Sequence, residues 1–150
     1  MKHHPLRSLL LLLVAAPQAA TGLWAVVAPR DWYTSFPGLG HAWLAAYGPF
    51  DEHLAVDAGA GLLSLGLLLA WAAIVASPAQ LRMALTAFAL FAAIHLGYHL
   101  HALGRLPGWD DAASIASLAA ALLVPLGVLV SLRAPRRAAR PAIPVVTEVR

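Results

Sequence analysis

The sequence contains no cysteine, and only 11% of its 150 residues are charged. The absence of cysteine excludes structural disulfides, thiol redox chemistry and thiolate metal sites. A soluble domain carries about 25% charged residues, so a chain that is 61% hydrophobic cannot cover a globular surface with ionic groups. A soluble enzyme, a disordered chain and a disulfide scaffold are therefore excluded, and the sequence predicts an integral membrane protein.

Four apolar runs reach the length of about 20 residues that a membrane-spanning helix needs. They cover residues 6–28, 54–76, 81–103 and 112–132. None alternates polar and apolar residues, and an open sheet edge in lipid would leave backbone polar groups unpaired. The sequence predicts an all-α fold in which residues 1–133 form a bundle of four transmembrane helices. Residues 134–150, which have prolines among arginines, are expected to form a disordered basic tail.

Basic residues are concentrated on one side of the predicted bundle. Eight lie on the side that holds both termini, and only Arg30 and Arg105 lie on the other. The positive-inside rule then predicts an up-down-up-down bundle with both termini in the cytoplasm. Arginine outnumbers lysine nine to one, a bias that favours a GC-rich bacterial genome and hence the bacterial inner membrane. The net charge of +3 is explained by topology, so no nucleic-acid partner is expected.

The first apolar run has an alternative interpretation as a cleaved signal peptide, because Lys2 and Arg7 precede a leucine run and small residues. We expect a retained helix instead. The apolar stretch continues to Ala28, and Pro17 or Gln18 falls where a cleavage site needs a small residue.

The connection between the first two helices, residues 29–53, is expected to form a structured outer loop. Turn residues interrupt it, among them Pro29, Pro37 and Gly38. Amphipathic aromatics prefer the headgroup layer, and six fall at or beyond the predicted outer boundary: Trp24, Trp32, Tyr33, Trp43, Tyr47 and Trp109. We therefore expect the outer connections to lie on the membrane surface.

Histidines and acids are concentrated at the outer ends of the second and third helices. His53 and Asp57 are four residues apart, as are His95 and His99, so each pair shares a helix face. If the two faces meet, nitrogen and oxygen ligands suited to Zn²⁺, Fe²⁺ or Cu²⁺ lie at similar depth. We expect consecutive antiparallel helices to be neighbours, which favours this meeting.

In a catalytic version of this site, Glu52 or Tyr98 handles protons on a metal-bound water. His41 or Glu52 is a further ligand or proton acceptor. The alternative is that the histidines bond headgroups or loop carbonyls, and that the acids only complement a helix N-terminus. The deeper groups, Asp57 and His95, favour a functional role because an ionisable group within a span is costly.

Small and polar residues inside the spans suggest helix packing. Gly59, Gly61 and Gly66 are expected to allow close helix approach, and Gln18 and Thr21 to hydrogen-bond across helices rather than line a cavity. Pro17 and Pro125 should kink the first and fourth helices.

Three motifs resemble those of a family of small four-helix membrane proteins common in actinobacteria and loosely DoxX-like in architecture. The family has an FPG turn, GP[YF][ND]EHL followed by D-x-G, and H-x-x-YH-x-x-H. This chain has FPG at residues 36–38, GPFDEHL at 48–54, DAG at 57–59 and HLGYHLH at 95–101. The resemblance spans residues 6–132 and implies the four-helix fold and the site residues His95, Tyr98 and His99, but no reaction. His101 falls one position early, and the chain lacks the cysteines of a thiol-linked role.

Two functional hypotheses follow from the sequence. In one, the outward-facing polar site binds a metal ion or a small ligand and supports redox or hydrolytic chemistry. In the other, the protein is an accessory or structural subunit whose polar cluster only pins the outer loop. The bilayer is the expected environment in both, with other membrane subunits or further copies of the chain as candidate partners.

Overall fold

The computed structural model describes residues 5–132, and all regular structure in that range is helical. The elements are α1 (Pro5–Val27), α2 (Pro29–Ser35), a 3-10 turn (Leu44–Ala46), α3 (Glu52–Val75), α4 (Pro78–His101) and α5 (Asp110–Ser131). No strand occurs among these residues, so the predicted all-α class is confirmed for the described range. The tail predicted over residues 134–150 lies outside it.

Four of the helices are long and apolar enough to cross a bilayer. They contain 22 to 24 residues, and their mean hydropathies lie between 1.5 and 2.3. Since about 20 apolar residues span the hydrocarbon layer, these helices fit a multi-pass membrane protein.

Polar caps set the starts of α3 and α4 slightly before the apolar runs. Asp51 accepts a hydrogen bond of 3.0 Å from the backbone N–H of Leu54, which caps α3. Ser77 and Gln80 form a reciprocal capping box at α4, with Pro78 at its first position. The hydropathy runs begin at residues 54 and 81 because these first-turn polar residues interrupt the apolar pattern.

The most extensive helix contact joins α1 to α3, and glycines make it close. A Cβ placed on Gly22 would collide with the backbone nitrogen of Leu63. A Cβ on Gly66 would lie 2.6 Å from the backbone nitrogen of Ala19. The two backbones therefore pack against each other with no room for a side chain, as small residues allow in membrane helices.

At one end of the bundle, two side chains bond to backbone carbonyls of neighbouring helices. Ser8 in α1 donates a hydrogen bond of 2.7 Å to the carbonyl of Ala73 in α3. Arg82 in α4 donates one of 3.2 Å to the carbonyl of Leu132, which follows α5. The start of α1 thus meets the end of α3, and the start of α4 meets the end of α5.

We call the opposite end of the bundle the loop end; there α1 and α4 finish and α3 and α5 begin. His41, in the α1–α3 connection, lies with its Nδ1 3.0 Å from a carboxylate oxygen of Asp110 at the start of α5. Asp111 accepts hydrogen bonds from the backbone N–H groups of Gly104, at 2.6 Å, and Leu106, at 3.4 Å. The α1–α3 connection and the α4–α5 connection are therefore both attached to the start of α5.

Candidate functional site

A cavity of about 500 Å³ lies within the bundle and reaches the loop end. Residues from α1, α2, α3, α4, α5 and the α1–α3 connection line it. Its walls are mostly apolar, and seven polar or titratable residues are among the lining: Gln18, Thr21, Tyr47, His95, His99, Ser114 and Ser117. A volume between about 300 and 1,000 Å³ with a few placed polar groups is typical of small-molecule sites.

Helix α4 supplies both imidazoles of the cavity. His95 and His99 continue the inward face begun by Phe88 and Ala92, since steps of four, three and four residues stay on one side of a helix. The His95 ring stacks on Phe91, with ring centroids 5.5 Å apart and planes at 16°. Its centroid lies 4.9 Å from that of His99. The two imidazoles that the sequence paired therefore lie side by side at the cavity wall.

His99 joins the α1–α3 connection to α5. Its Nδ1 lies 3.0 Å from the hydroxyl of Tyr47 and 3.4 Å from that of Ser114. Burial raises the pKa of Tyr47, and the negative charge of Asp111 raises it further. The Tyr47 hydroxyl thus keeps its proton at neutral pH and forms a hydrogen bond with His99.

Three buried side-chain N–H groups at the cavity have no hydrogen-bond partner within residues 5–132. They are the indole nitrogens of Trp32 and Trp43 and the amide nitrogen of Gln18. An indole nitrogen is a donor only, so it needs an acceptor. A buried donor left unpaired costs about 1–3 kcal/mol. Each of these nitrogens is shielded by surrounding atoms, so the unpaired donors lie in the cavity wall and do not face its open space.

Three aromatic residues of the α1–α3 connection pack against one another beneath the connection. Trp32 is only 8% exposed, and its ring packs against Phe36 at a centroid distance of 6.2 Å. Phe36 also contacts Trp43 at 6.0 Å. Trp109, at 87% exposed, is accessible as expected. Because Trp32, Phe36 and Trp43 pack together and line the cavity, the connection closes over its loop end.

The expected four-ligand metal site, His53, Asp57, His95 and His99, is not assembled. His53 and Asp57 contact each other at 3.4 Å on α3, but their side chains are 85% and 63% exposed and do not line the cavity. They lie two residues from the buried positions Ala55 and Gly59, which is a rotation of about 200°. Nowhere in residues 5–132 do three or more His, Asp or Glu side chains group as metal ligands.

The two residues expected to handle protons also lie outside the cavity lining. Glu52 is exposed in the first turn of α3. Tyr98 is 52% exposed, although its ring lies 6.0 Å from that of Tyr47 and 5.7 Å from that of His99. Of the six expected site residues, the structure therefore brings only His95 and His99 into the cavity, with Tyr98 beside them.

The expectation for α1 is also revised, because Gln18 and Thr21 line the cavity instead of serving only helix packing. Ser114 and Ser117 on α5 received no role from the sequence, yet both line the cavity. The sequence did contain a pattern that indicates this position. Gln18 and Thr21, like Ser114 and Ser117, are three residues apart in a nearly uncharged span, so each pair shares one helix face. For Trp32 and Trp43 no such signal existed, because loop tryptophans equally suit the headgroup layer.

This arrangement suits binding of an uncharged molecule by hydrogen bonds inside an apolar chamber. The imidazoles of His95 and His99 supply groups that both accept and donate. Comparisons with known proteins add no further assignment: no family model, no curated protein and no solved structure matches this chain.

Proposed function

We propose that this protein is a multi-pass membrane protein that binds a small lipophilic ligand in the cavity between its helices. The observation that carries the proposal is the cavity of about 500 Å³, whose mostly apolar wall includes two imidazoles and, among the described residues, no Lys, Arg, Asp or Glu. A small organic molecule can bury its apolar surface in such a cavity and hydrogen-bond to the few polar groups there.

The ligand hypothesis is favoured over a metal ion by the donor set. Two neighbouring imidazoles, His95 and His99, supply only two of the four ligands that Zn²⁺ usually takes. The rest of the lining is mostly apolar, and among the described residues it includes no carboxylate that could complete a cation site. A small organic molecule uses all of these groups, and any chemistry on it would be carried out next to the imidazoles.

We further propose that the bundle runs up-down-up-down in the bacterial inner membrane with both termini in the cytoplasm. The contacts of Ser8 with Ala73 and of Arg82 with Leu132 support the alternating helix order. The positive-inside bias supports the orientation. The cavity would then open near the outer headgroups. The motif residues that resemble those of the actinobacterial four-helix family would lie at the same depth.

Cavity occupancy is tested by filling the cavity from α5. N-phenyl-1-naphthylamine, an uncharged fluorescent probe, is titrated into detergent-purified protein, and its emission is followed under direct excitation. Saturable binding is expected for the intact chain and its loss for Ser117→Phe, which places a ring in the cavity. Ala116→Phe is the matched control, because the adjacent Ala116 is exposed and outside the lining.

A second cavity-filling variant, Ala120→Phe, keeps the test informative if Ser117→Phe does not fold. Circular dichroism verifies the helical content of each variant. Equal probe signals for the intact chain and for both filled variants, all folded, would refute the proposal.

A purely structural role is the second candidate, and specific contacts favour it. Tyr47 bonds to His99, and His41 pairs with Asp110, so the cavity-side polar groups do attach the α1–α3 connection to the bundle. On this hypothesis the protein is an accessory subunit, and its cavity binds nothing. The titration separates the two candidates, because an accessory subunit of this kind shows no binding that cavity filling removes.

A further inference from the structure

The polar and the apolar residues of the cavity lining lie at different depths. The deepest polar residue, Gln18, lies nine residues before Val27, the last residue of α1, which places it about 14 Å from the loop end. The other polar or titratable lining residues are closer to the loop end of their helices or lie in the α1–α3 connection. All lining residues ten or more positions from the loop end are apolar, among them Leu13, Pro17, Phe88 and Ala120. The cavity therefore has its polar groups near the loop end and an apolar end toward the middle of the spans.

The two imidazoles of the cavity differ in their hydrogen bonds. Nδ1 of His99 lies within hydrogen-bond distance of the hydroxyls of both Tyr47 and Ser114. His95 stacks on Phe91 but makes no side-chain hydrogen bond within residues 5–132, and its ring nitrogens are not among the fully shielded unpaired atoms there. Both nitrogens thus keep accessible surface on a ring that lines the cavity. His99 holds the connection in place, whereas His95 is available to a ligand.

The chemistry of His95 indicates the polar group of that ligand. A neutral imidazole has one nitrogen that donates a hydrogen bond and one that accepts. A hydroxyl group both donates and accepts, so it can bind either nitrogen, whereas a carbonyl can only accept. A charged group would lack a counter-charge, because no Lys, Arg, Asp or Glu is among the described lining residues.

The apolar end of the cavity opens sideways between α1 and α5. Leu13 and Pro17 on α1 and Ala120 on α5 line the cavity and are also exposed; Leu13 is 62% exposed. These residues lie in the middle portions of two membrane-spanning helices, so this lateral opening faces the hydrocarbon layer. A molecule with its polar group at His95 and its chain at this opening has the orientation of an amphiphile in a bilayer leaflet.

From these placements we propose that the ligand is an uncharged lipophilic alcohol. Its hydroxyl group binds His95, and its hydrocarbon chain occupies the apolar end of the cavity beside Leu13 and Ala120. This inference rests on the proposed function and adds the chemical class of the ligand and the residue that binds its polar group.

Four probes of equal carbon number test the chemical class. 1-Undecanol has a hydroxyl group, 2-undecanone an uncharged acceptor, undecanoate a charged group and undecane no polar group. Each is added to protein loaded with N-phenyl-1-naphthylamine, and displacement of the fluorophore is measured. 1-Undecanol is expected to displace it at the lowest concentration, about three- to tenfold below undecane, because one hydrogen bond contributes about that factor.

His95→Phe tests the polar contact, because it keeps an aromatic ring against Phe91 and removes both ring nitrogens. It is expected to weaken displacement by 1-undecanol about three- to tenfold without changing that by undecane. His95→Leu makes the same test if His95→Phe does not fold. His101→Phe is the matched control, since His101 is exposed at the end of α4 and outside the lining.

Leu13→Asn tests the position of the chain. It is expected to weaken displacement by 1-undecanol and by undecane alike, by about fourfold, since that is the contribution of roughly one buried methylene. Leu9→Asn is the matched control, because Leu9 is exposed on the same helix and outside the lining.

Displacement by 2-undecanone, undecanoate or undecane at concentrations equal to or below that of 1-undecanol would overturn the inference while leaving the cavity a binding site. Unchanged affinity for 1-undecanol in both His95 variants, or in Leu13→Asn, would do the same. If N-phenyl-1-naphthylamine itself shows no saturable binding, the proposed function fails, and this inference fails with it.

Discussion

At position 47 one hydroxyl group joins the α1–α3 connection to α4. Tyr47 contacts Nδ1 of His99 at 3.0 Å, and burial together with the charge of Asp111 raises the pKa of Tyr47 above its usual 10.0. A raised pKa in the folded state means that the folded protein holds this proton more tightly than the unfolded chain does. The stabilisation is therefore fully present below pH 10.0 and is lost as the pH rises through the folded-state pKa.

The prediction is that the intact protein loses stability more steeply above pH 10 than Tyr47→Phe does, since the variant has no proton at this site. Thermal unfolding followed by circular dichroism between pH 8 and pH 11 measures the difference. Tyr33→Phe is the control, because Tyr33 lies outside the cavity lining and packs on Phe50 rather than on Tyr47. The prediction would be contradicted if the unfolding temperatures of the intact chain and Tyr47→Phe fell in parallel as the pH rises.

Single residues also show what could and could not be predicted from the sequence. The spacing of His95 and His99 was sufficient to place both on one face, and an ionisable group within a span favours an inward position. Asp57 met the same criteria but lies on the exposed side of α3. Spacing along one helix shows which residues share a face, whereas only contacts with other helices decide where that face points.

At the scale of elements, the α1–α3 pair controls the arrangement of the bundle. Gly59 and Gly66 allow the expected close approach of a neighbouring helix, which is α1, but a Cβ placed on Gly61 would have nothing within 4 Å, so Gly61 faces away. Gly22, the partner on α1, carried no signal in the sequence because it is a lone glycine among larger residues. Since α3 uses its glycine face against α1, His53 and Asp57 are turned away from the cavity.

Two glycine substitutions on the same helix test this packing. Gly66→Ala is expected to destabilise the protein by about 1–3 kcal/mol, because its Cβ would lie 2.6 Å from the backbone of Ala19. Gly61→Ala is the matched control and is expected to be neutral or stabilising by up to about 1 kcal/mol, since alanine favours helix and the space is open. Unfolding temperatures in detergent measure both, and equal effects of the two substitutions would contradict the packing.

At the scale of the whole molecule, hydropathy was sufficient to predict four long helices and the all-α class. It predicted neither α2 nor the inward packing of the connection. A seven-residue helix carries too weak a periodic signal, and aromatic residues suit both a cavity wall and a headgroup layer. The cavity itself depends on which helices pair, and four apolar runs are compatible with several pairings.

The absence of cysteine makes the proposed orientation directly testable, because any introduced thiol is the only one in the chain. Leu39→Cys lies in the α1–α3 connection at a fully exposed position, and Ala79→Cys lies in the exposed first turn of α4. In intact bacterial cells a membrane-impermeant maleimide is expected to label Leu39→Cys and not Ala79→Cys. Ala79→Cys should react only after lysis, and the reverse pattern would contradict both termini being cytoplasmic.

The central claim is that the bundle encloses a binding site for an uncharged organic molecule. Native mass spectrometry of the protein released directly from membranes tests it most directly. We predict a bound organic species on the intact chain and on Ala116→Phe that is absent from Ser117→Phe. The claim would be contradicted if the intact chain and both variants all carried no bound species. It would also be contradicted if the bound mass were that of a metal ion and were still present in Ser117→Phe.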